Sequence, residues 1–214
     1  MTERRIRTFN ARRGRLRAGR LDTLSRLLPV YSPADEPLTG PAVLEIGSGM
    51  GEATVAMAAA DPGRTYVAVE VHTAGVANLL ALVRATGLVN VRVVHGDALE
   101  FARHRVAPAS LDAIHVFFPD PWPKKGHHKR RLIQPSHVEL LASRLRPGGV
   151  LHCATDDPGY AEAMFETLTA ASGLRNLAGE GYAPRPAQRP VTRYEERALA
   201  AGRPSVDLIF ERTA

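Results

Sequence analysis

Chemistry in this chain concentrates in three carboxylates, a glycine run and one basic loop. Glu45 stands just ahead of Gly47-Ser48-Gly49-Met50-Gly51, Glu70 lies 21 residues beyond Gly49, and Asp97 closes His95-Gly96-Asp97. Glycines at 47, 49 and 51 let the backbone turn tightly and approach a ligand without Cβ clashes. The run is not a dinucleotide fingerprint, which needs G-x-G-x-x-G/A; its last position would be Glu52, a poor neighbour for a pyrophosphate at a helix N-terminus. An acid at 45 suits a cationic ligand instead. Glu70 is placed to accept both hydroxyl protons of a ribose, and Asp97 to accept from an adenine amine. Taken singly, each acid reads equally as a solvated cap at a helix start.

The basic loop follows Phe117-Phe118-Pro119-Asp120-Pro121-Trp122-Pro123 and carries five fixed positive charges, two histidines and no acid in residues 124–131. Such a run is commonly a solvated face. Adjacent His127 and His128 bring no Cys/His partners at metal-ligand spacing, so no metal is expected. Prolines on both sides of Asp120 point to a rigidly held carboxylate at the mouth of a ligand site, with a phosphate-binding strip beside it. Trp122 is placed either to stack on a base or to fill core.

The elements that must hold these groups follow from pattern and length. The 214 residues allow one compact domain with an arm, and 44% hydrophobic with 23% charged residues excludes collagen-like, disulfide-scaffold and wholly disordered classes. A single cysteine, Cys153, forbids an intrachain disulfide and points to a reducing, cytoplasmic setting. No apolar stretch approaches the roughly 18 residues of a membrane span. Residues 1–20 hold eight arginines against one acid, whereas the other 194 balance 20 basic against 21 acidic groups. The excess charge therefore sits in an arm suited to a polyanion. Leu21, Leu24, Leu27 and Leu28 have helical spacing, and Pro29, Pro33, Pro37 and Pro41 break the chain after them. This divides the chain into an arm, short helix and linker at 1–40 and a body at 41–214.

Within the body, strand-like runs at 42–46, 66–71, 91–94, 112–118 and 149–154 alternate with helix-like segments at 52–60, 73–86, 135–145 and 158–171. A last strand is expected at 206–210. Alternation of this kind predicts an α/β fold with a mostly parallel central sheet and helices on both faces. Ligands bind such sheets beyond the carboxyl ends of the strands, where Glu45, Glu70, Asp97 and Asp120 fall.

S-adenosylmethionine offers an ammonium, a sulfonium, a ribose and an adenine, which is the set these acids suit. Together they resemble the class I (Rossmann-like) S-adenosylmethionine-dependent methyltransferases. The fourth-strand motif is more specific. Residues 119–125, with His127-His128-Lys129-Arg130-Arg131, closely resemble the signature of the bacterial-type tRNA (guanine-N7) methyltransferases. Glu45-Ile46-Gly47 with Gly49 and Gly51, Glu70-Val71-His72, Ala154-Thr155-Asp156 and Thr192-Arg193-Tyr194-Glu195 match that family in order and spacing, over roughly residues 5–212.

That resemblance implies methyl transfer to N7 of a guanine in the variable loop of tRNA. It places Glu45, Gly47, Gly49, Gly51, Glu70, Asp97 and Asp120 on cofactor-binding positions, with Asp120 also on the catalytic one. Lys124, Asp156, Thr192, Arg193, Tyr194 and Glu195 fall on substrate-binding positions. Two departures are visible: Gly126 where arginine is common, and Ser48 where a bulkier residue is frequent. Residues 192–195 also read as a T-x-x-E capping box. Arg185 and Arg189 read as solvated loop arginines ahead of phosphate contacts, and His72, His95, His104 and His115 as structural. Two other functions compete. Asp120-Pro121-Trp122 is distantly similar to the Asp/Asn-Pro-Pro-aromatic motif of exocyclic-amine methyltransferases but lacks the second proline; a non-catalytic RNA-binding module would not need all the cofactor-site acids.

Overall fold

Five buried residues, Ala42–Ile46, make β1 an interior strand of the sheet, and a strand covered on both faces needs such a run. The computed structural model describes residues 7–9, 18–33 and 41–214. After α1 (Ala18–Tyr31) and β1 come α2 (Glu52–Ala60), β2 (Thr65–Glu70), α3 (Thr73–Thr86), β3 (Val91–His95), α4 (Ala98–Arg105) and β4 (Leu111–Phe117). A 3-10 turn (Lys125–Arg130) leads to α5 (Pro135–Arg144), β5 (Leu145–Thr155), α6 (Pro158–Thr169), β6 (Leu174–Asn176), α7 (Arg193–Ala200) and β7 (Val206–Arg212). The strand order is β3-β2-β1-β4-β5-β7-β6, with β1 to β5 parallel and β7 antiparallel to both its neighbours.

Alternation along the strands builds two apolar layers. Leu44, Val67, Ile114 and Leu151 face a core that includes Leu99 of α4, Leu141 of α5 and Met164 of α6. Val43, Ala68 and Ala113 face the other, with Met57 of α2, Leu79 of α3 and Leu27 of α1. The parallel register also aligns Glu45 with His115 and His115 with His152, a polar row on this second face.

The order of elements matches the sequence pattern, with three differences. α4 and β6 are additional; α4 has eight residues, too short for its periodicity to stand out. α1 runs through Pro29 to Tyr31, its leucines packing on α3. β5 begins at Leu145 rather than 149 and shifts register between Leu111 and Ala113, around Gly148 at φ 76°.

Candidate active site

Sheet polarity brings the carboxyl ends of β1, β2, β3 and β4 to one cavity of about 580 Å3, within the usual range of small-molecule sites. Glu45, Gly47, Gly49, Glu70, Asp97, Asp120, Thr192, Arg193 and Tyr194 line it. Gly51, Lys124, Asp156 and Glu195 do not.

The glycine run turns through left-handed conformations at Gly47, Gly49 and Gly51, with φ 80°, 58° and 86°. Glu70 fixes this turn: its carboxylate accepts the Gly49 N–H at 2.8 Å and the His72 N–H at 2.7 Å. Each oxygen keeps lone pairs for further donors. The loop also lies against α3 at Gly75, where an added Cβ would sit 2.2 Å from the Gly49 carbonyl oxygen. That requirement was visible in the sequence only as a glycine inside a helical pattern.

Glu45 is 3% exposed, and its partner is the Thr54 hydroxyl of α2 rather than a cation. Burial pushes its carboxyl up to about 7; the Thr54 bond opposes this rise and the nearby Glu70 charge adds to it. Ser48 is buried at the same cavity, and its hydroxyl has no partner among the described residues. An α-amino acid group, with an ammonium for Glu45 and a carboxylate for the Ser48 hydroxyl, fits this end. Asp97 caps α4 by accepting the Leu99 N–H at 2.9 Å and the Glu100 N–H at 3.4 Å, so it carries the capping reading while also lining the cavity. S-adenosylmethionine therefore suits the residues present.

After β4 the chain enters two strained positions, Phe118 at φ 50° and Trp122 at φ 47°. Bulky residues seldom adopt that region, and such strain clusters at functional sites. Trp122 is 7% exposed; its indole N–H donates to the Thr8 carbonyl at 3.2 Å and the Arg130 guanidinium lies 3.6 Å from its ring centroid. It is a packing residue and presents no face to a base. Arg130 also donates to the carbonyls of Arg7 and Phe9, each at 3.2 Å, while Arg131 is buried on Pro121 and Tyr160. The basic strip is thus narrower than its five charges suggest: Lys124, Lys125 and Lys129 are exposed, and both arginines hold structure.

Thr8 and Phe9 line the cavity as well. The arm is therefore part of the site's wall, although Arg4, Arg5, Arg12, Arg13, Arg15 and Arg17 lie outside the described residues.

The 192–195 stretch divides. Thr192 caps α7 by accepting the Glu195 N–H at 3.2 Å, half of a capping box, and Arg193 pairs with Glu52 at 3.0 Å across the cavity wall. Tyr194 is exposed. Glu195 is turned away: it is 2% exposed, and Arg189 occupies both its oxygens at 2.8 Å. A contact with a base edge is not available to it in this arrangement. Arg189, expected as a solvated loop residue, is 1% exposed, because Asp207 and Glu195 supply the partners a buried guanidinium needs. Asp156 pairs with Arg203 at 3.2 Å outside the cavity. His115 is indeed packed in the sheet, stacked on Phe117 at 5.0 Å, and burial holds its imidazole down at about 3.

Residues 39–208 match a family model described as "Putative methyltransferase". The fold is similar to that of an rRNA methylase from Streptococcus thermophilus (TM-score 0.56, 15% identity, covering 90% of this chain and 93% of that one). It is also similar to 16S rRNA methyltransferase KamB (TM-score 0.54, 20% identity, covering 82% and 89%). In sequence the chain is 51% identical to a tRNA (guanine-N(7)-)-methyltransferase of Streptomyces avermitilis, over 98% of this chain and 76% of that protein. It is 49% identical to one of Bordetella parapertussis, over 97% and 85%. With a class I methyltransferase sheet, a cavity suited to S-adenosylmethionine and relatives at half identity along nearly its whole length, the chain belongs to the tRNA (guanine-N7)-methyltransferase family.

Proposed function

We propose that this chain methylates N7 of a guanine in the variable loop of tRNA, using S-adenosylmethionine. The observation that carries the reading is the joining of two chemistries in one cavity. The buried Glu45 and the glycine turn suit a nucleoside carrying an α-amino acid arm, and the Phe118-to-Asp120 turn, Arg193 and Tyr194 stand beside them. When bound, the cofactor supplies an electrophilic methyl group that the in-plane lone pair of N7 takes without prior loss of a proton.

No general base is required, so the chain's work is placement and charge. Glu45 orients the amino group, Glu70 braces the glycine turn and accepts from the ribose, and Asp97 stands at the adenine end. Asp120 supplies negative potential where positive charge arrives on the purine, a contribution that grows as water is excluded. Tyr194, exposed at the rim, and the lysines at 124, 125 and 129 meet the RNA, with arginines of residues 1–20 adding phosphate contacts. Asp156 enters this interface only if Arg203 releases it.

Among the described residues no helix is long and apolar enough to cross a membrane; work on tRNA and a buried free Cys153 favour the cytoplasm. The test of position is chemical. Unmodified tRNA is treated with protein and cofactor, then reduced with borohydride and treated with aniline, which cuts at 7-methylguanosine. A single cut in the variable loop is expected, and a cut elsewhere removes the proposed position.

A further inference from the structure

Between the Phe118-to-Asp120 turn and α7 lies a buried charge cluster that the chemistry above does not use. The Arg189 guanidinium donates to both Glu195 oxygens at 2.8 Å and to both Asp207 oxygens at 2.7 and 3.0 Å. His152 closes on Asp207 Oδ1 at 2.6 Å, and the Ser205 hydroxyl donates to Glu195 Oε1 at 2.6 Å. Burial alone would raise both carboxyls, but the hydrogen bonds hold Glu195 and Asp207 below the usual carboxylate range.

Sequence separation gives the cluster its meaning. Residues 190–194, all of which line the cavity, lie between Arg189 and Glu195, so the bidentate pair clips the loop at its two ends. Asp207 bolts the clip to β7. The same guanidinium carbon stands 5.7 Å from the ring centroids of both Phe117 and Phe118, the latter in its strained conformation directly before Pro119 and Asp120. One side chain thereby lies beside both the 190–194 loop and the Phe118-to-Asp120 turn. Burying charges is a poor route to stability, since apolar packing of equal volume commonly does as well or better. The fork geometry of a guanidinium on two carboxylates instead fixes direction and distance.

We propose that Arg189 is a positioning residue for methyl transfer, setting the gap between the 190–194 loop and the Phe118-to-Asp120 turn without touching substrate. This rests on the reading of the cavity as the tRNA methylation site. Arg189→Lys keeps the charge and loses the fork. A second variant, Arg189→Met with Glu195→Gln, removes one charge of each sign and leaves Asp207 with His152.

The readouts are the single-turnover rate constant at saturating tRNA and cofactor, the tRNA Kd, and the stoichiometry of cofactor binding by calorimetry. A displacement near 1 Å costs about a hundredfold in rate, so a fall of at least about tenfold in the rate constant is expected in both variants. The tRNA Kd should stay within about threefold and one cofactor should still bind per chain, as only alignment is lost. A merely structural role lowers the fraction of active protein and leaves the rate constant of the remainder unchanged, and that result overturns the proposal. If the lysine variant does not fold, the double variant decides; if neither folds, Arg189 is a stability residue and the proposal falls. Wild-type protein inactive on tRNA would instead overturn the functional reading beneath it.

Discussion

Replacing Glu45 by glutamine should make the cofactor-free protein more stable while making it a worse methyltransferase. The buried carboxyl, pushed up to about 7 from an ordinary 4.5, prefers its proton in the folded state. A group whose folded value is raised stabilises fully below the unfolded value and loses that contribution as pH climbs through the folded one. For Glu45 the window runs from about 4.5 to about 7. At roughly 1.4 kcal/mol per pH unit, the complete loss is about 3 kcal/mol, of which about 2 falls between pH 5.5 and 8.0. Glutamine keeps the shape and an acceptor for Thr54 but has no proton to lose. Urea unfolding of both proteins without cofactor should therefore diverge by about 2 kcal/mol between those pH values, with the glutamine variant gaining at the alkaline end, about 4–8 °C in Tm for a chain of this size. Cofactor affinity should move the other way, weakening by about 1.5–3 kcal/mol, the scale of a charge-assisted hydrogen bond. Parallel stability curves, or a variant less stable at pH 8.0, would refute the claim that an uncompensated buried carboxylate waits here for a cation.

Three further outcomes separate the parts of the site. Asp120→Ala should lower single-turnover methylation far more than tRNA affinity, because its carboxylate acts where charge develops; a near-normal rate would leave it a turn residue. Gly75→Ala should push the Gly49 carbonyl off its contact and cost about 1–3 kcal/mol of stability with weaker cofactor binding, measured by thermal unfolding and calorimetry; an unchanged affinity would show that the glycine turn does not depend on α3. Removing residues 1–17 should flatten the log-log salt dependence of tRNA binding by about 0.7–0.9 for each of about two to four lost phosphate contacts. It should also weaken the cofactor, since Thr8 and Phe9 line its cavity; parallel salt plots would confine RNA binding to the body.

What could be read before folding were groups whose surroundings lie close by in sequence. Glu45, the glycine turn and Glu70 announce themselves because a strand end, a turn and a helix start are consecutive, and the parallel topology then gathers them. Asp120's place at the cavity was legible from its flanking prolines. Arg189 was not, since its burial depends on Asp207, 18 residues on in β7, and on a loop whose composition looks like surface. Glu195 failed for the same reason: the capping box was correct at Thr192, but the carboxylate found a buried cation instead of completing the box. Trp122 and Arg130 could not be assigned without knowing that Thr8 and Phe9, more than a hundred residues earlier, would pack there.

The central claim, transfer to guanine N7, is tested most directly by nucleoside analysis of unmodified tRNA incubated with the protein and methyl-labelled S-adenosylmethionine. The label is expected in 7-methylguanosine alone, lost when Asp120 is alanine and retained in the buffer control as free cofactor. Label in an exocyclically methylated base, or none in RNA despite stoichiometric cofactor binding, would contradict it.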